Sequence, residues 1–192
     1  MPNYPVILAS ASPRRRELLR QVIDRFEVVP ADLDEPSLTL ENPHETATAL
    51  ALAKAKTIFA QYPDHLIIGS DTVVALKDES GNWKQLGKPE SRLEAVEMLR
   101  VLSGQTHEVI TGLALVDPSG ESVRYESTLV TFRMLNDSEI ADYVATGEPM
   151  DKAGAYAIQG GAAGFGESVV GSLTNVIGLP IELLRTMLDE LA

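Results

Sequence analysis

The side chains able to do chemistry are spread along the chain: Arg14, Arg15, Glu35, Lys54, Asp71, Lys88 and Gln159. Asp71 is the natural starting point. It follows the apolar run Leu66-Ile67-Ile68, with Gly69-Ser70 between them. A short apolar run bounded by turn residues reads as a strand buried on both faces, with Asp71 projecting from its end. Ligands of α/β sheets gather at such ends. A carboxylate there can ligate a hard metal ion or take a proton from water. The competing reading is an aspartate that only caps a helix or a turn.

The cations fall at separate places. Ser12 and Pro13 suit the cap and first position of a helix, so Arg14 and Arg15 lie in its first turn, where the helix dipole opposes positive charge. A phosphate at the free backbone N–H groups resolves that conflict; a solvated basic turn is the alternative. Lys54 shares a helix face with Ala47, Leu50, Ala51 and Ile58. It either snorkels to water or reaches a pocket beside the helix. Lys88, in Gly87-Lys88-Pro89, is a point charge suited to phosphate next to a glycine that allows close approach. Glu35 lies in the acidic loop Ala31–Pro36, a weak metal hint. Gln159 lies in the small-residue stretch 151–161, and its amide can both donate to and accept from a base edge. His107 has no second histidine nearby and reads as hydrogen-bonded structure.

These residues need a framework. Val6–Ala9 reads as a strand leading into the Ser12-capped helix, whose apolar stripe is Leu18, Leu19, Val22 and Ile23, and 26–30 as a second strand. A helix starts at Asn42-Pro43-His44-Glu45, with Glu45 as a capping-box residue, and runs to about Gln61. Val73 to Leu86 reads as a hairpin around 78–82. Ser91 and Glu94 open another capping box, and Gly104 ends that helix. Strands over 107–116 and 123–134 flank the turn Asp117-Pro118-Ser119-Gly120. Helices follow from Asn136 to Gly147 and over 181–191.

Composition sets the outer limits. A chain of 192 residues forms one compact domain or two small lobes sharing a sheet. The formal charge of −12 argues against broad nucleic-acid binding, which needs a basic footprint. The absence of cysteine excludes disulfides, thiolate zinc sites and cysteine nucleophiles. No apolar run is long enough to span a bilayer, and the arginines follow the N-terminal apolar patch, the reverse of a signal peptide. The expectation is a cytoplasmic protein without membrane partners. Four separated cations, two acids and one glutamine suit a polyphosphate held by cations and a metal, with a carboxylate to activate water. The P-loop and the dinucleotide fingerprint are both missing. The residues alone therefore reach metal-dependent phosphate-ester chemistry.

A series of motifs carries the reading further. In order they are Ser10-Ala11-Ser12-Pro13-Arg14-Arg15, Glu45 with Leu52-Ala53-Lys54-Ala55, Gly69-Ser70-Asp71-Thr72 and Gly87-Lys88-Pro89. Then come 103–107 (Ser-Gly-Gln-Thr-His), 151–156 (Asp-Lys-Ala-Gly-Ala-Tyr), 158–160 (Ile-Gln-Gly) and 175–180 (Asn-Val-Ile-Gly-Leu-Pro). In this order, and over almost the whole length, the chain resembles the Maf family of nucleoside triphosphate pyrophosphatases. The resemblance implies a single domain over 1–192, with a long, strongly bent, mixed central sheet, flanking helices and a cleft between two lobes. It implies hydrolysis of a nucleoside triphosphate to the monophosphate and pyrophosphate, with Mg²⁺ or Mn²⁺, and a homodimer. It carries the family's catalytic aspartate onto Asp71, its specificity positions onto Arg14, Thr72 and Gln159, and its metal site onto Glu35 and Asp71. Its phosphate-binding positions fall on Ser10, Arg15, Lys54 and Lys88. The 151–160 pattern resembles the branch acting on dTTP and UTP. The alternatives are a nucleotide-binding regulator of cell division with little turnover, or a pyrophosphatase for modified nucleotides.

Overall fold

The computed structural model describes residues 4–191. Its centre is a seven-stranded mixed sheet in the order β2-β1-β3-β5-β6-β7, with β4 paired to β3 off that path. β1 (Val6–Leu8) is parallel to both β2 (Glu27–Val28) and β3 (Leu66–Lys77). β4 (Trp83–Leu86), β5 (Thr106–Asp117), β6 (Gly120–Phe132) and β7 (Gly166–Val170) join in antiparallel fashion.

β3 corrects one expectation. The strand does not stop before Asp71 but runs on to Lys77, with Asp71 paired opposite Gly112 of β5. What changes near Asp71 is the neighbour on the other edge. β1 accompanies β3 over Leu66–Ile68, and β4 accompanies it over Val74–Lys77. Between these two partners the edge of β3 is open at Gly69–Val73. Side chains alternate across a strand, so Asp71 projects to one face of the sheet at this gap and Thr72 to the other.

The helices cover both faces. α1 (Pro13–Leu19) and α6 (Ile181–Glu190) pack Leu18, Leu19, Leu184 and Met187 against Val6, Leu8, Leu66, Ile68, Leu113 and Leu115. α3 (Arg92–Leu102) and α4 (Asp137–Ala145) cover the same face further along β3 and β5, burying Leu99, Leu102, Ile140 and Val144 with Val74, Val109, Val130 and Phe132. α2 (Pro43–Phe59) alone covers the opposite face and buries Ala51, Ala55 and Ile58 against Ile7, Ile67 and Ala114. Its buried face carries the small residues Ala47, Ala51 and Ala55, and it meets glycines on the sheet. A β-carbon on Gly69 would run into the Ala51 carbonyl, and one on Gly112 into the Ala47 carbonyl. Both glycines therefore let α2 settle close to the sheet, which brings Lys54 over Asp71.

The local signals mostly hold. Ser12 and Asn42 cap α1 and α2 through their side chains, and Asn136 with Glu139 forms a full capping box on α4. The boxes expected at Glu45 and Glu94 do not form: Asn42 accepts from His44, and Glu94 reaches the Glu90 N–H instead. α1 ends at Leu19, yet Ile23 still packs in the core. The short helix α5 (Leu173–Ile177) and strand β7 were not foreseen.

Candidate active site

The open edge of β3 forms the floor of a cleft of about 890 Å³, within the size range of small-molecule sites. Its lining brings together Ser10, Arg14, Arg15, Glu35, Lys54, Asp71, Thr72 and Lys88. These come from the β1–α1 turn, the first turn of α1, the loop after β2, the middle of α2, β3 and the segment after β4.

On the α2 side three charges meet. Lys54 Nζ lies 2.5 Å from Asp71 Oδ1 and 2.7 Å from Glu35 Oε1. Lys54 and Asp71 are both buried, so the lysine does not snorkel to water. An ammonium in that position is tolerable only because it is paired. Lys88 Nζ stands 3.9 Å from Glu35 Oε2 at the exposed rim. Partial burial pushes the Glu35 carboxyl up, but the hydrogen bond and charge of Lys54, with Lys88 and Arg15 behind them, outweigh it and hold Glu35 below the usual carboxylate value.

On the opposite side Arg15 is gripped at each nitrogen. Its Nε donates to the Gly178 carbonyl at 2.8 Å, Nη2 to Thr72 Oγ1 at 3.0 Å and Nη1 to Ser10 Oγ at 3.3 Å. The Gly178 carbonyl also accepts from Ser70 Oγ at 3.1 Å. Thr72 Oγ1 lies 2.9 Å from Thr111 Oγ1, which donates to the Asn175 carbonyl at 3.0 Å. The Asn175 amide in turn donates to Val109 O and Thr128 Oγ1, both at 2.9 Å. This net runs from α1 through the loop before α6 to β5 and β6. Burial lowers the guanidinium's affinity for its proton, while Asp71 and Glu35 oppose that; with a normal value so high, Arg15 stays charged.

A family model described as Maf-like protein matches residues 5–191. The chain belongs to the Maf family. It is 47% identical over 176 residues to a protein of Geobacillus sp. (strain WCH70) named dTTP/UTP pyrophosphatase, covering 92% of each chain. A protein of the same name from Symbiobacterium thermophilum is 46% identical over 96% of this chain and 93% of its own. One from Bacillus cereus is 42% identical over 96% and 94%. Among solved structures, the Staphylococcus aureus Ham1 protein superposes with a TM-score of 0.52 at 15% identity, covering 97% of this chain and 98% of its own. The Coxiella burnetii HAM1 protein gives 0.50 at 16% identity. At such identities the likeness is one of fold: a mixed sheet flanked by helices.

Within this Maf fold the remaining expected residues divide. Arg14 lines the cleft, and its charge bears on Asp151, another lining residue. Burial pushes the Asp151 carboxyl up, yet Lys152 and Arg14 together hold it below its usual value. Gln159 is not brought in. It is exposed and absent from the cleft lining, because the chain leaves the cleft after Tyr156. The following turns are tied down by Ala157 N–H to Tyr143 Oη (3.1 Å) and Gly161 N–H to Glu148 Oε2 (2.9 Å). His107 is buried, and its Nε2 lies 2.7 Å from Tyr156 Oη, the structural role expected of it. Tyr156, which lines the cleft, and the Thr111–Asn175 link were not assigned roles from sequence. Tyr156 and Asn175 lie within the 151–156 and 175–180 motifs, whereas no sequence motif contains Thr111.

Proposed function

We propose that this Maf protein hydrolyses nucleoside triphosphates, dTTP and UTP foremost, between the α and β phosphates, releasing the monophosphate and pyrophosphate. The observation that carries the reading is the cluster of buried Lys54 and Asp71 with half-buried Glu35 at the open edge of β3, facing the fixed Arg15 guanidinium across one cleft. The names of the relatives supply the substrate class. In this reading Asp71 takes the proton of the attacking water, a role suited to a carboxylate at the cleft with Lys54 beside it. Arg15, Lys54 and Lys88 hold phosphate oxygens, with Ser10 donating alongside them. Arg15 is set in place before substrate arrives, so little reorganisation accompanies reaction.

The donor set also fits a hard divalent cation. Asp71 and Glu35 each point an oxygen at one spot, the Lys54 ammonium. Among the described residues no group of three or more metal-ligating side chains forms. The two carboxylates would thus hold Mg²⁺ or Mn²⁺ together with phosphate oxygens and water, as Mg²⁺ sites commonly do. Such an ion neutralises charge developing on the phosphates. No helix among the described residues is long and apolar enough to cross a membrane. The reading places the enzyme with the cytoplasmic nucleotide pool. It also includes a homodimer, supported by the exposed apolar residues Leu129, Val169 and Val170 at the β6–β7 edge of the sheet.

The test is a panel of dTTP, UTP, CTP and modified nucleotides with Mg²⁺ or Mn²⁺, products resolved by chromatography. Monophosphate and pyrophosphate are expected, with turnover abolished by EDTA and restored by the metal. Orthophosphate as first product, or binding without turnover, overturns the reading.

A further inference from the structure

Lys54 occupies the point on which both acids converge. Its Nζ is within 2.7 Å of Glu35 Oε1 and 2.5 Å of Asp71 Oδ1, so the two oxygens are separated by no more than these contacts laid end to end. Mg²⁺ demands oxygens at about 2.0–2.1 Å. An ammonium and a divalent ion cannot share that space between the same two oxygens. Charge points the same way. The two carboxylates already face Lys54 and Lys88, and the charge of Arg15 bears on Glu35 as well. A bare dication approaching them meets a cluster already neutralised. A triphosphate changes both terms, since it brings several negative charges and offers oxygens to which a lysine binds as a point charge.

We infer that Lys54 is the resident cation of the Glu35–Asp71 pair in the nucleotide-free protein, and that it exchanges these carboxylates for phosphate oxygens when nucleotide arrives, so that the divalent cation enters only with the triphosphate. The inference rests on the proposed metal-dependent function and adds an order of binding to it. Lys54 is then a gate as well as a phosphate ligand. It keeps the buried Asp71 and the half-buried Glu35 paired while the site waits, and its own buried charge is compensated in turn. It also keeps free metal off the catalytic carboxylate.

The experiment is a Mn²⁺ titration followed by the paramagnetic resonance of the free ion. It uses the full chain as wild type, Lys54→Met and Lys54→Gln, with and without the α,β-methylene analogue of dTTP, the Mn²⁺ taken up by the analogue without protein being subtracted. Wild type should bind Mn²⁺ only with the analogue, or at least about tenfold more weakly without it. Both variants should bind Mn²⁺ without nucleotide at least about tenfold more tightly than wild type, because the competing charge is gone. Folded variants, checked by circular dichroism, that gain no affinity overturn the inference. So does a wild type that binds Mn²⁺ equally with and without analogue, a comparison that stands even if neither variant folds. dTTP hydrolysis by the same wild-type preparation keeps the two claims apart. Turnover together with unaided Mn²⁺ binding overturns the gate and leaves the function. Nucleotide-dependent Mn²⁺ binding without turnover does the reverse.

Discussion

Arg15 Nε donates to the carbonyl of Gly178 at 2.8 Å, joining the first turn of α1 to the loop before α6, 163 residues further along the chain. The same guanidinium reaches Ser10 and Thr72. The first-turn arginine that opposes its helix dipole is therefore a clasp. It holds the loop and presents a charge to the cleft at once.

That geometry makes a conservative exchange costly. A lysine keeps the charge but lacks the planar fork of donors. Arg15→Lys should lower turnover of dTTP by about ten- to a hundred-fold, the scale expected of a small misplacement at a reacting centre. It should also lower the melting temperature, since the Gly178 carbonyl loses its charged donor. Steady-state kinetics and thermal denaturation read the two effects. Activity close to wild type would show that position along the cleft needs only a point charge.

Asp71→Asn removes the proposed base while keeping shape. Lys54 retains Glu35 at 2.7 Å, so its ammonium is not left unpaired and the fold should persist. Turnover should fall by roughly 10²–10⁴-fold, the usual worth of general base catalysis. Collapse of thermal stability along with activity would instead make Asp71 a structural counter-ion for Lys54. Retention of activity within a few-fold would remove it from the chemistry altogether.

His107 predicts the pH dependence of stability. Burial holds its pKa down, from 6.5 to about 4. The folded state thus keeps the imidazole neutral where the unfolded chain takes up a proton. No penalty exists above about pH 6.5. As pH falls from there toward 4, the unfolded state gains the proton first and stability is lost, by up to about 3 kcal/mol at the acid end. Carboxylates add their own losses at the lower end of that range, so the diagnostic interval is its upper half. His107→Gln should flatten the fall in melting temperature between pH 6.5 and 5. An unchanged slope would show that the buried ring does not govern this limb.

What the sequence made legible follows from physics that acts locally. Ser12, Asn42 and Asn136 announce their helices because a cap is satisfied by near neighbours. The face shared by Ala47, Ala51 and Lys54 is visible because helical spacing is fixed. The pairing of the sheet is not local. Asp71 read as the end of a strand because Gly69-Ser70 resembles a turn, whereas Gly69 serves the close approach of α2. The open edge depends on where β1 stops and β4 begins, a matter of tertiary pairing. Likewise β7 has a glycine-rich approach and an exposed apolar face, a pattern that announces neither strand nor core. The acid–lysine cluster gathers Glu35, Lys54 and Asp71 from three elements, and only the motif order pointed to their convergence.

The choice of base is the sharpest remaining test, because it sets Gln159 against the residues already inside the cleft. Thymine and uracil present two carbonyl acceptors and one imide donor. A glutamine amide can donate to a carbonyl and accept from the imide, and an arginine such as Arg14 can donate to the second carbonyl or to phosphate. Cytosine replaces one carbonyl by an amino donor and the imide N–H by a bare acceptor nitrogen, so with the glutamine amide held in the orientation that suits thymine one pair becomes donor against donor and another acceptor against acceptor. Leaving such a group unpaired in a closed pocket costs roughly 1–3 kcal/mol, or about ten- to a hundred-fold in discrimination. dTTP and UTP should therefore be hydrolysed better than CTP by that factor. Gln159 stands exposed on the segment that leaves the cleft after Tyr156. For it to meet a base, that segment has to fold over the substrate, releasing the ties at Tyr143 and Glu148. Gln159→Ala should then narrow the gap between dTTP and CTP more than it slows dTTP. If the gap is unchanged, the base is read within the cleft by Arg14 and Thr72 alone. If every nucleotide slows equally, Gln159 positions substrate without reading it. A preference of the wild type for CTP or for a methylated guanine nucleotide would overturn the donor–acceptor argument itself.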